Sequence, residues 1–141
     1  MFVYGRKNMR QIVLASHHGF AQGLADTLEF LGNKNIPHVI CAYMDDMPLT
    51  DTVENLFASF NPSDEVLILT DIMQGSVNQA FVPYVGEHVF LVAGVNVALA
   101  LELCLTDEPL SNELIQQEIN TCLQSIQLIN TLIVEEGEDD E

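Results

Sequence analysis

Two adjacent imidazoles, His17 and His18, stand with Gly19 between the apolar run Ile12-Val13-Leu14-Ala15 and a helical pattern that opens at Phe20. An imidazole is the side chain able to serve near neutral pH as proton carrier, nucleophile or metal ligand. Asp71 directly follows a second apolar run, Glu65 to Thr70, and Gly75 and Ser76 come just after it. A carboxylate bonded to one ring nitrogen sets the tautomer and aim of the other. It also stabilises positive charge on the ring when that second nitrogen bonds to phosphorus. Free N–H groups at a helix opening after Ser76, with the Ser76 hydroxyl, can hold phosphoryl oxygens. Gly19 and Gly75 let the backbone approach an anion with no Cβ in the way.

These residues converge only if particular elements carry them. Ile12–Ala15 reads as a short buried strand, and Phe20–Leu31 as a helix with Phe20, Leu24, Leu28 and Leu31 on one stripe, ended by Gly32-Asn33. His38–Tyr43 is the second strand. The loop Met44–Leu49 leads to a helix capped by Thr50 or Asp51 and carrying Val53, Leu56, Phe57 and Phe60. Glu65–Thr70 is the third strand. Ser76 is placed to cap a helix over Val77–Tyr84. His88–Ala93 is the fourth strand, ending at Gly94-Val95-Asn96, and Val97–Leu105 is helical. Ser111 caps a last helix reaching about Leu132. Strand and helix alternate four times, which predicts an α/β fold: a doubly wound, mainly parallel four-stranded sheet with helices on both faces. The strand carboxyl ends then share one edge, where ligands collect in such sheets. That edge gathers His17, His18, Gly19, Asp71, Gly75, Ser76, Gly94 and Asn96.

Other residues read as structural. His38 and His88 fall at strand starts, on the opposite edge. Asp45 and Asp46 read as a solvated loop. Cys41, Cys104 and Cys122 lie singly in apolar segments, with no CxxC pair or zinc-ligand spacing, and read as buried thiols. There is no GxGxxG or P-loop pattern, and neither a metal nor an organic cofactor is called for.

The chain of 141 residues is 48% apolar, enough for one domain with a real core. No apolar run nears the roughly 20 residues needed to span a bilayer, and the run after Arg6, Lys7 and Arg10 is too short for a signal peptide. The expectation is a cytoplasmic protein. Four basic residues face 21 acidic ones, a net charge of −17. Nucleic acid is therefore a poor partner, and a basic protein a better one. The domain is expected over residues 11–134, after an extension at 1–10 and before a disordered acidic tail at 135–141.

Three segments carry a family resemblance. Ser16-His17-His18-Gly19-Phe20 resembles the Thr-His-Gly-Trp-type loop of enzyme IIA domains of the mannose-type sugar phosphotransferase system. Leu69 to Asn78 resembles that family's Asp-x-x-x-Gly-Ser-Pro segment, and Gly94-Val95-Asn96 its Gly-Val-Asn turn. Met73, Gln74 and Val77 depart from it, standing where the family often has tryptophan, a first glycine and proline. The resemblance implies a phosphoryl carrier. His18 would be the phosphorylated histidine, favoured over His17 because Gly19 follows it. Asp71 would bond its other ring nitrogen, and Ser76 with neighbouring amides would contact the phosphoryl oxygens. His17 reads as a strand-end packing residue. The implied donor is the histidine phosphocarrier protein (HPr) and the acceptor a IIB domain, which serves membrane IIC and IID subunits. A homodimer that exchanges an edge strand is also implied, with Leu132-Ile133-Val134 as the segment available for it. Two related roles remain open: a regulatory module of a transcription activator, and the phosphoryl donor module of dihydroxyacetone kinase. A small-molecule-binding α/β module that takes up no phosphoryl group is the remaining reading.

Overall fold

A computed structural model of the protein describes residues 9–133. Residues 135–141, Val134 and most of the N-terminal extension lie outside the described residues. Four strands, β1 (Arg10–His17), β2 (His38–Ala42), β3 (Glu65–Thr70) and β4 (Val89–Val92), form one sheet in the order β2-β1-β3-β4. Every pairing is parallel. The chain leaves β1 outward to β2, then crosses to β3 on the other side of β1. The carboxyl ends of β1 and β3 therefore flank the switch point of the sheet, the crevice where open α/β folds bind ligands.

Side chains alternate across the strands and build two cores. Ile12, Leu14, Leu67 and Leu69 face α1 (Phe20–Gly32), α4 (Val97–Leu105) and α5 (Asn112–Leu123), packing with Leu24, Leu28, Leu99, Leu103 and Ile115. Val13, Ala15, Val66 and Ile68 face α2 (Leu49–Ala58) and α3 (Ser76–Phe81), packing with Val53, Val77 and Phe81. Leu14, Leu28, Leu67 and Phe81 are essentially inaccessible, and burial of side chains of this size contributes about 1.5–3 kcal/mol each. Among the described residues no helix is long and apolar enough to cross a membrane.

Five local expectations change. β1 begins at Arg10, inside the stretch read as an extension, because its N-terminal end pairs with β3 from Arg10↔Glu65 and the Met9 N–H donates to Asp64. Pro48, not Thr50 or Asp51, precedes the first residue of α2, and Asp51 lies in its first turn, where its charge complements the helix dipole. Ser76 is the first residue of α3 and not its cap: Gly75 holds that place with no side-chain bond. Pro83 has no N–H to continue the helix, so the chain tightens to a 3-10 turn over Val82–Tyr84. The last helix stops at Leu123. Ser125 Oγ donates to the Cys122 carbonyl, and Ile126, Leu128 and Ile129 find no core to enter. Residues 129–133 are helical again, including Leu132 and Ile133 of the segment considered for strand exchange.

Candidate active site

β1 runs two residues past its apolar stretch because β2 continues to pair with it, Ser16 against Cys41 and His17 against Ala42. His17 is thus a true strand residue, and the two-residue period puts it on the face of Val13 and Ala15, towards α3. His18 is already turning away. Its backbone is left-handed, with φ 53°, its N–H donates to the Ala42 carbonyl at 2.9 Å, and the residue is exposed. Buried Ser16 shapes this corner: its Oγ accepts from the Ala21 N–H at 2.7 Å and donates to the His18 carbonyl at 3.2 Å.

The ring that meets Asp71 is therefore that of His17, not of His18 as the sequence favoured. Asp71 Oδ2 accepts from the His17 backbone N–H at 2.9 Å and lies 3.0 Å from the ring Nδ1. The other oxygen, Oδ1, accepts from the Ile72 N–H at 3.1 Å. Burial pushes the Asp71 carboxyl up, but the hydrogen bonds from the His17 N–H and ring, with the charge of His17, outweigh it and hold the acid below its ordinary value. An ionised Asp71 only accepts, so in the neutral imidazole the proton sits on Nδ1 and the lone pair on Nε2. Nε2 has no partner among the described residues. The His17 side chain is about one-third exposed, so it is held from one side and accessible from the other.

Gly75 backs the ring. A Cβ there would lie 2.7 Å from His17 Cε1 and 2.9 Å from Ile72 Cγ1, too close without displacement. The backbone angles of Gly75 are ordinary, so the requirement is for room and not for an unusual φ. A Cβ on Gly19 would meet nothing, and its place at the start of α1 makes no steric demand for glycine. Ser76 presents its hydroxyl to the Tyr43 hydroxyl in a hydrogen bond between the β3 and β2 sides of the site. Tyr43 also lies beside His17, with ring centroids 5.8 Å apart.

Buried residues brace the Asp71–Gly75 loop. Thr70 Oγ1 lies 2.9 Å from Asn78 Oδ1 and 3.1 Å from the Val92 carbonyl, while Asn78 Nδ2 donates to the Met73 carbonyl at 3.0 Å. Sequence reasoning passed over Tyr43, Thr70 and Asn78. The position of Tyr43 just after a strand was the available signal, but its reach depends on the fold. Asn96 is used elsewhere, capping α4 by accepting from the Leu99 N–H at 2.9 Å. Asp45 accepts from the Met47 N–H within its own loop, as a solvated turn residue does. His38 lies at the start of β2, where its Nε2 is 3.0 Å from Gln11 Oε1.

The chain matches the family model of the fructose IIA component of the phosphotransferase system over residues 11–120. A Klebsiella pneumoniae structure, described as a phosphoenolpyruvate-dependent sugar phosphotransferase system permease, is 35% identical. The match covers 94% of this chain and 99% of that one, with a TM-score of 0.84. The IIA protein associated with the fucose utilization operon of Streptococcus pneumoniae is 21% identical, covering 90% of this chain and 98% of its own, with a TM-score of 0.74. A sigma-54 interaction domain protein of Enterococcus faecalis is also 21% identical, at 84% and 93% coverage and a TM-score of 0.61. The last two likenesses are of fold. No curated protein sequence is significantly similar to the chain.

Proposed function

Because the chain belongs to the mannose/fructose-type IIA family of the sugar phosphotransferase system, we propose that it carries a phosphoryl group on His17 Nε2, taken from phospho-HPr and passed to a IIB domain. The observation that carries this reading is the bond from His17 Nδ1 to Asp71, which leaves Nε2 as the free nucleophilic nitrogen. The Nε2 lone pair attacks phosphorus in line. The new P–N bond forms as the donor's P–N bond breaks, and the bonding electrons return to the donor imidazole. The His17 ring keeps its Nδ1 proton and becomes cationic, and the Asp71 carboxylate stabilises that charge. No proton needs to leave the site. Catalysis is mainly positioning and charge stabilisation.

On this reading Ser76 and the amides around Gly75 contact the phosphoryl oxygens, with Gly19 at the same strand-end edge. The start of α1 exposes Phe20, and the loops after β2 and β3 expose Tyr43, Met44, Met47, Ile72 and Met73. An apolar rim on a chain of net charge −17 suits a basic partner with an apolar contact patch. This reading includes a cytoplasmic carrier, homodimeric, serving IIC and IID subunits through IIB. Both the family match and the 35% identical neighbour belong to the sugar phosphotransferase system, which favours transport over the regulatory and dihydroxyacetone kinase roles.

Incubation with phosphoenolpyruvate, enzyme I and HPr tests this. One acid-labile phosphoryl group is expected on the wild-type chain and on His18→Ala, and none on His17→Ala. Uptake by His17→Ala with loss in His18→Ala would return the role to His18.

A further inference from the structure

Tyr43 is held in a conformation that its residue type disfavours. It follows the last residue of β2 with φ 68°. A bulky aromatic residue in the left-handed region is uncommon, and such outliers gather at functional sites. Burial does not account for it, since Tyr43 is 59% exposed. Two contacts give the conformation a use. The ring lies beside that of His17, tilted 40° to it, and the hydroxyl reaches Ser76 Oγ across the mouth of the site.

We propose that Tyr43 is a positioning residue for phosphoryl transfer, its hydroxyl orienting that of Ser76 towards the group carried by His17. This rests on the carrier reading above. A phenol is the more acidic of the two hydroxyls, so Tyr43 donates and Ser76 Oγ accepts. The Ser76 proton is then free to donate to a phosphoryl oxygen. Donation from Tyr43 also polarises the Ser76 O–H and strengthens that bond as charge develops on the oxygen. The contact bridges the loop after β2 and the start of α3, so the hydroxyl is aimed before substrate arrives.

The test compares wild type, Tyr43→Phe, Ser76→Ala and the double variant, following transfer from phospho-HPr by rapid quench over a range of HPr concentrations. Tyr43→Phe keeps the ring beside His17 and removes only the hydroxyl, and a thermal melt checks that each variant is folded. The expected result is a maximal transfer rate about tenfold lower in Tyr43→Phe with half-saturation unchanged, Ser76→Ala at least as slow, and the double variant no slower than Ser76→Ala. A wild-type rate in Tyr43→Phe overturns the proposal. So do losses that multiply in the double variant, or a change confined to half-saturation. A wild-type chain that takes no phosphoryl group on His17 overturns the carrier reading and this one together, whereas a labelled His17 indifferent to the Tyr43 hydroxyl overturns this one alone.

Discussion

The two edges of the sheet each set a histidine near carboxylates, and they use them in opposite ways. At the carboxyl-terminal edge Asp71 holds one nitrogen of His17 and leaves the other without a partner among the described residues. At the amino-terminal edge Asp64, Gln11, Arg10 and Glu65 are occupied by structural bonds. Asp64 is buried and accepts from the Met9 and Asn61 N–H groups and from Gln11 Nε2. Gln11 Oε1 in turn meets His38 Nε2, whose ring packs edge-on against Phe60. Arg10 bonds Glu65 and the carbonyls of Thr106 and Glu108, and Glu65 also accepts from the Leu110 N–H. A histidine beside acids is thus not a site by composition. It becomes one where a carboxylate holds one ring nitrogen and the other stays accessible, and for His17 that is the edge where β1 and β3 part.

Four measurements probe that contrast. Asp71→Asn removes the carboxylate charge and leaves one acceptor oxygen where two are used, so the His17 tautomer is no longer fixed and the transfer rate should fall by roughly 10²–10⁴ as in other oriented imidazoles; single-turnover transfer from phospho-HPr reads it. A rate near wild type would show that Asp71 is no more engaged with the reacting ring than the acids of the far edge. Gly75→Ala forces a Cβ against His17 Cε1 and should slow transfer by about 10–100-fold through misplacement of the ring, with the fold retained by circular dichroism. Arg10→Ala is the counterpart at the other edge. It should lower unfolding free energy by about 1–3 kcal/mol in urea titration while the transfer rate of the folded fraction stays unchanged.

The smallest effect is a slope with pH. Burial lowers the His38 pKa from its ordinary value of 6.5. The unfolded chain then binds more protons than the folded one below that value, so stability falls as pH drops. This contribution is complete above pH 6.5 and is lost as pH falls through the lowered folded value. His38→Gln should flatten the stability profile just below pH 6.5, while phosphoryl uptake at neutral pH stays as in wild type.

Much of this was legible in the residues. Alternating apolar runs and helical stripes predicted the four strands and the helices between them. Val97–Leu105 was read to the residue, and the Ser111 cap is present, accepting from the Leu114 N–H. Asp71 stood out because it ends the strongest strand run. The breaks were at ends. The last helix was drawn too long because Ile126 and Ile129 continue its stripe, although no core is there to receive them. Tyr43 was read as the last residue of a strand, and its contact with Ser76 joins residues 33 positions apart.

By itself the sequence determined the order of elements, the edge at which imidazole and carboxylate would meet, and the carboxylate itself, since local periodicity and chain order are enough for these. Which of two neighbouring imidazoles faces Asp71 was decided only by the tertiary structure. A strand ends where its neighbours stop pairing with it, and that end decides which residue keeps the alternation of faces and which enters the turn. Here β2 holds β1 as far as His17. His17 is thereby aimed across the sheet at Asp71, and His18 is released into the turn.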